Sequence, residues 1–72
     1  MAHLSPREYD RLERAVSDGR RIAIVRHGRE IVVVPLRLVS RGGRDRIEAR
    51  HPTTGDPLTF VIEDVDSVEV MS

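Results

Sequence analysis

Apolar positions recur along this chain in two rhythms, a helical one near the start and a two-residue alternation from Arg20 onward. The densest stretch is Arg21 to Val34, where Ile22-Ala23-Ile24-Val25 and Ile31-Val32-Val33-Val34 flank His27-Gly28. Two β-branched runs around such a pair predict a tight hairpin. Ile24 then lies opposite Ile31 and Ile22 opposite Val33, which makes one face wholly aliphatic. The reverse face carries Ala23, Val25, Val32 and Val34 with Glu30 near the turn, so it too calls for a cover.

Before the hairpin, the helical rhythm places Tyr9, Leu12 and Val16 on one stripe with Ala15 beside them. Ser5 suits the N-cap, Pro6 the first helical position and Glu8 the third position of a capping box, while Leu4 can staple onto Tyr9. Asp18-Gly19 ends a helix predicted over about residues 5–18. A helix of about three turns is not stable alone in water, so its stripe must dock on the sheet. The second aliphatic face of the hairpin, or an open end of a barrel, is the expected seat.

After the hairpin, the second strand runs on through Pro35 to Val39. Pro35 cannot donate a ladder bond, so the strand is bent, bulged or at an edge there and can serve two sheets. Ser40 to Asp45 reads as a turn by its glycines, followed by a third strand Arg46–Arg50 with Ile47 and Ala49 inward. His51 to Pro57 is a second turn, closing a hairpin onto Leu58–Ile62, where Leu58, Phe60 and Ile62 point inward. Glu63 to Asp66 reads as a single tight turn before a last strand Ser67–Val70, with Met71-Ser72 expected to fray. One helix and five antiparallel strands predict a mostly β fold, a small SH3-like or Sm-like barrel over about residues 20–70. An open antiparallel sheet with the helix on one face is the alternative.

Composition narrows what such a fold can do. Seventy-two residues read as one domain, 1–72, and the absence of cysteine removes disulfides and thiolate metal sites. No apolar run reaches the length of about 20 residues that a membrane span needs, and Met1 to Asp10 is too polar for a signal peptide. A cytoplasmic protein with no membrane partner is expected. Net charge is zero, yet residues 20–50 hold nine Arg against three acids, and residues 51–72 no Arg and five acids. Complementary strands in a small barrel or a basic binding face both produce that layout. All twelve basic residues are Arg, and Lys, Asn and Gln are missing, a compositional bias that weakens any argument from the choice of Arg alone.

Candidate chemistry is sparse. His3, His27 and His51 lack ligand spacing, and Glu63-Asp64-Val65-Asp66 lacks the length, glycine and terminal Glu of a calcium loop. Ser40 and Ser67 have no nucleophile motif around them, and Gly42-Gly43 and Gly55 form no phosphate-binding signature. No enzymatic activity, cofactor or metal is expected. Arg41, Arg44 and Arg46 cluster at one turn, and Arg20, Arg21, Arg26, Arg29, Arg37 and Arg50 are candidates for the same side, which makes nucleic-acid backbone binding one expectation. Tyr9 and Phe60, the only aromatics, are better placed in the core than as stacking platforms. Exposed Val32, Val34, Leu36 or Leu38 on a bent second strand would favour weak self-association, the basis of a third expectation, a self-associating structural domain.

Two resemblances add to this reading. Tyr9-Asp10-Arg11-Leu12-Glu13-Arg14-Ala15, then the hairpin, Leu38-Val39-Ser40-Arg41, the strand Ile47 to Ala49 and a closing strand pair resemble the Rho-binding antiterminator family (Rof, also called YaeO). That resemblance covers about residues 6–68. It implies an N-terminal helix on a five-stranded Sm-like barrel, and a regulator that binds the termination factor Rho and hinders its capture of RNA. The family's helix acids fall on Glu8, Asp10 and Glu13 here, interleaved with Arg7, Arg11 and Arg14, each a like charge toward a basic partner. The ending Gly55, Phe60, Ile62, Val65 is similar to that of the WYL domain, an Sm-like ligand-sensing domain of bacterial regulators, though the Trp-Tyr-Leu hallmark is absent.

Overall fold

Each element starts or stops where its local chemistry requires it in the computed structural model, which describes residues 3–71. Helix α1 spans Pro6–Asp18, with Ser5 as N-cap and Gly19, at φ 67°, in the left-handed conformation that closes the C-terminus. Leu12 and Ala15 are its buried positions, with Tyr9 and Val16 half-buried beside them. Strands follow as β1 (Ile22–Arg26), β2 (Arg29–Arg41), β3 (Arg44–Arg50), β4 (Pro57–Val61) and β5 (Ser67–Val70), with a 3₁₀ turn at Ile62–Asp64 between the last two.

The predicted hairpin register is the one found, with Ile22 opposite Val33 and Ile24 opposite Ile31. His27 and Gly28 both have positive φ, 52° and 75°. Their turn therefore twists in the sense of the flanking strands and fixes the pairing without a loop. The second hairpin is tighter than the sequence pattern indicated. Gly42 and Gly43, at φ 57° and 78°, make the whole turn, so β2 continues to Arg41 and β3 begins at Arg44.

All pairings are antiparallel, in the order β4-β3-β2-β1-β5. Among the described residues β4 and β5 do not pair, so the curled sheet stays open at that seam and is not a closed barrel. Strand β2 serves both halves: it pairs with β1 up to Val33, and with β3 from Val34 onward. A register shift between Pro35 and Arg37 leaves Leu36 as the extra residue, 50% exposed. The bend sits where a residue without an N–H interrupts the ladder, and the bulge redirects the strand into the second half.

Ile22, Ile24, Val33, Ile47, Ile62 and Val65 are fully buried, and Leu12, Ala15, Ala49 and Phe60 complete one cluster. Burying each large aliphatic side chain contributes about 1.5–3 kcal/mol before entropy is counted. Membership of Leu12 and Ala15 in that cluster decides where the helix sits. It covers the concave side of the sheet, against β2 and β5, and not the second aliphatic face of the first hairpin. Val25, Val32 and Val34 therefore remain half-buried on the reverse face, outside the core cluster. At the C-terminus, where the sequence pattern predicts fraying of Met71-Ser72, the Met71 N–H donates to the Arg21 carbonyl at 2.9 Å and continues the β1–β5 pairing; Ser72 lies outside the described residues. No helix among the described residues is long and apolar enough to cross a membrane.

Candidate binding surfaces

The helix acids do not form one patch. Glu8 closes the capping box: the Ser5 N–H donates to its Oε1 at 2.9 Å, and its own N–H donates to Ser5 Oγ at 3.2 Å. The backbone bond from Ser5 first, then the Ser5 hydroxyl, hold the Glu8 carboxyl below the usual carboxylate range. Glu8 also lies four residues before buried Leu12 and so shares its flank of the helix. That i, i+4 relation was available in the sequence. Asp10 and Glu13 are exposed on the other side, and neither is in an ion pair among the described residues. The predicted three-acid surface thus reduces to Asp10 and Glu13, with exposed Arg7, Arg11 and Arg14 between and around them.

The arginines of the second hairpin are gathered more tightly. Arg41 stands opposite Arg44, and Val39 opposite Arg46, in the β2–β3 ladder. Directly opposed residues share a face, as do residues two apart, so Arg41, Arg44 and Arg46 project from one side of this ribbon. All three are exposed. Arg44 Nε reaches Glu63 Oε1 at 3.5 Å, whereas Arg41 and Arg46 make no ion pair among the described residues.

The same face continues toward the bulge through Arg37 and Glu48, and past it to Arg50. Arg37 holds Glu48 with two parallel bonds, Nε to Oε1 and Nη2 to Oε2, both 3.0 Å. The Arg37 hydrogen bond lowers the Glu48 carboxyl, and Glu48 in turn raises the guanidinium. Sequence reasoning missed this pair, because the bulge shifts which residues face each other. With Arg37 neutralised by its partner, the net positive charge concentrates at the Gly42-Gly43 tip.

Two of the other arginines go elsewhere. Arg26 lies 5.2 Å from the centre of the Phe60 ring, a cation–π contact. Arg20 lines a hollow beside α1 and approaches Asp18 at 4.0 Å. Arg20 and Arg26 therefore do not extend the Arg41, Arg44, Arg46 face, contrary to the expectation for these two, whereas Arg37 and Arg50 do share it.

The histidines serve structure where their role is visible. His51 Nδ1 accepts N–H bonds from Thr53 at 3.1 Å and Thr54 at 3.2 Å, which organises the turn into β4. Among the described residues no three His, Cys, Asp or Glu side chains come together to hold a metal ion. Grooves lie around the helix, one of about 140 Å³ against β5, one of about 200 Å³ lined by Glu13, Val16, Ser17, Arg37 and Leu38, and the hollow of about 410 Å³ that Arg20 shares with Arg11, Arg14 and Asp18. The first two are smaller than the roughly 300 Å³ that a drug-sized ligand needs, and the third, which exceeds it, is lined mostly by charged side chains rather than apolar ones.

Comparison with known proteins places this geometry. The family model of the WYL domain matches residues 7–70, which takes in the helix from its second residue and all five strands. No curated protein matches the chain. No solved structure matches it either.

Proposed function

This chain belongs to the WYL domain family, and on that footing we propose that it is a non-catalytic regulatory module that binds single-stranded nucleic acid through the β2–β3 tip. A regulatory binding role is what membership of the family supports; the nucleic-acid ligand is our reading of the surface. The observation that carries it is the shared face of Arg41, Arg44 and Arg46, two of them without a carboxylate partner among the described residues. Guanidinium groups held in a row by a rigid two-residue turn can each meet a phosphate. No exposed aromatic accompanies them, so binding is expected to follow the backbone and tolerate sequence.

Fluorescence anisotropy with a labelled single-stranded oligonucleotide, repeated across salt concentrations, tests this. Affinity should fall steeply with salt, and replacing Arg41, Arg44 and Arg46 by Gln should flatten the dependence by about 2 in log–log slope, at roughly 0.7 per phosphate neutralised. Salt-independent binding, or none at low salt, rejects the reading.

Exposed Asp10 and Glu13 favour a second reading, in which the helix contacts a basic protein surface such as that of Rho and modulates termination. Titrating purified Rho separates the two. Saturable binding that disappears on Asp10→Arg with Glu13→Arg would transfer the function to the helix.

A further inference from the structure

The two edges of the open sheet are not equivalent. Strand β4 begins with Pro57, which has no N–H to offer a neighbour, and such an edge is blunted. Strand β5 has no proline. It pairs with β1 through Ile22–Val70, Ala23–Glu69, Ile24–Val68 and Val25–Ser67. The Met71 N–H donates to the Arg21 carbonyl, and the Asp66 N–H donates to the Val25 carbonyl at 2.7 Å. Hydrogen-bonded and non-bonded pairs alternate in an antiparallel ladder. The odd residues of β1 therefore bond Ser67, Glu69 and Met71, while Val68 and Val70 turn their N–H and C=O groups away, toward the side where no strand lies among the described residues.

Charge is arranged along this edge with opposite signs at its two ends. Glu63, Asp64 and Asp66 immediately precede β5. At its other end Val70 shares a hollow with Arg11, Arg14, Arg20 and Asp18. Between them, Val68 and Val70 line a groove with Leu4 and Leu12 of the helix segment, which Glu8, Arg11 and Glu69 make half polar.

We propose that β5 is a dimerisation edge, which pairs antiparallel with β5 of a second copy of this chain. Antiparallel pairing about a two-fold axis places the acidic start of each strand beside the arginine-lined end of the other, so the surface is complementary to itself. The register follows from the same charges. Centring the axis on Val68 sets Val68 against Val68 of the second copy, Ser67 against Glu69, and Asp66 against Val70. Centring it on Glu69 would oppose two carboxylates directly, a destabilising pair. In the favoured register the Val68 N–H of each copy donates to the Val68 carbonyl of the other. The strand is four residues long, so the contact is small and the dimer weak, of the transient class.

Sedimentation equilibrium over a range of protein and salt concentrations tests the proposal. A monomer–dimer equilibrium that loosens as salt rises, with no larger species, is expected. Val68→Pro removes a donor that β1 does not use, so the variant should keep its circular dichroism and become monomeric. Should Val68→Pro unfold, the charge pair decides: Arg20→Asp and Asp66→Arg should each weaken dimerisation several-fold, and the double variant should recover it. A strict monomer up to about millimolar concentration overturns the proposal. So do larger oligomers, a folded Val68→Pro that dimerises like the parent, or charge variants that leave the dimer unchanged.

Discussion

Strand β2 ends in two hairpin turns of the same build, and only the second gathers three exposed arginines on one face. At His27-Gly28 and at Gly42-Gly43 two residues of positive φ reverse the chain. Each turn is flanked by a cross-strand arginine pair, Arg26 with Arg29 and Arg41 with Arg44. At the first turn Arg26 covers Phe60, a buried member of the core, and so becomes part of the packing. At the second turn Arg41 and Arg44 are joined by Arg46 on one exposed face. The same residue type in the same local geometry takes different roles because the apolar surface beneath it differs.

The comparison breaks most visibly at its platform. Phe60→Ala should cost about 3–5 kcal/mol through a cavity in the core and the removal of Arg26's partner, read as a lower urea midpoint. An effect below about 1 kcal/mol would mean that the ring is not packed as described. The turns themselves come next. Gly28→Ala and Gly43→Ala each force a Cβ into positive φ, with open space around it, so each should cost about 1–2 kcal/mol, by conformation alone. Unequal costs at the two sites would show that the turns differ in more than their flanking side chains.

Smaller effects separate the arginines. Arg26→Gln should cost about 0.5–1 kcal/mol because it removes the cation–π interaction, whereas Arg46→Gln should stay within about 0.5 kcal/mol and act on ligand affinity instead. Thermal melts of the two variants side by side test this difference. Acid sharpens it further. Glu8 and Glu48 have folded pKa values below 4.5, lowered by Ser5 and Arg37 respectively. Their contribution is therefore present above the unfolded value and is lost as pH falls through the lowered folded values. Stability measured below pH 4.5 should decline less steeply in Glu48→Gln than in the parent, with Arg29→Gln, which breaks no ion pair among the described residues, as the control.

How far the sequence reveals this arrangement depends on whether a pattern has one reading. The capping box at Ser5 and Glu8 and the register of Ile24 with Ile31 were legible, because cap chemistry and a two-residue turn each admit a single geometry. The seat of the helix was not. Both faces of the first hairpin are aliphatic, so periodicity cannot say which one Leu12 and Ala15 will meet. Pro35 announced an irregularity in β2, but a missing N–H does not state which residue becomes the extra one; Leu36 is that residue, and its position resets every later pair, Arg37 with Glu48 included. Among candidate site residues, the clustering of Arg41, Arg44 and Arg46 followed from a glycine turn between alternating strands. The separation of Glu8 from Asp10 and Glu13 follows from their angles around the helix axis, which nearness in sequence does not convey.

Matched variants test the central contrast most directly, by removing two arginines from one turn or the other while keeping net charge equal. Binding of a single-stranded oligonucleotide would be followed against salt for the parent, for Arg26→Gln with Arg29→Gln, and for Arg41→Gln with Arg44→Gln. The expected result is a log–log slope reduced by about 1.4 only in the second pair, at roughly 0.7 for each phosphate no longer neutralised. Equal reductions in both pairs, or a larger one at the His27-Gly28 turn, would contradict the assignment of binding to the Gly42-Gly43 tip.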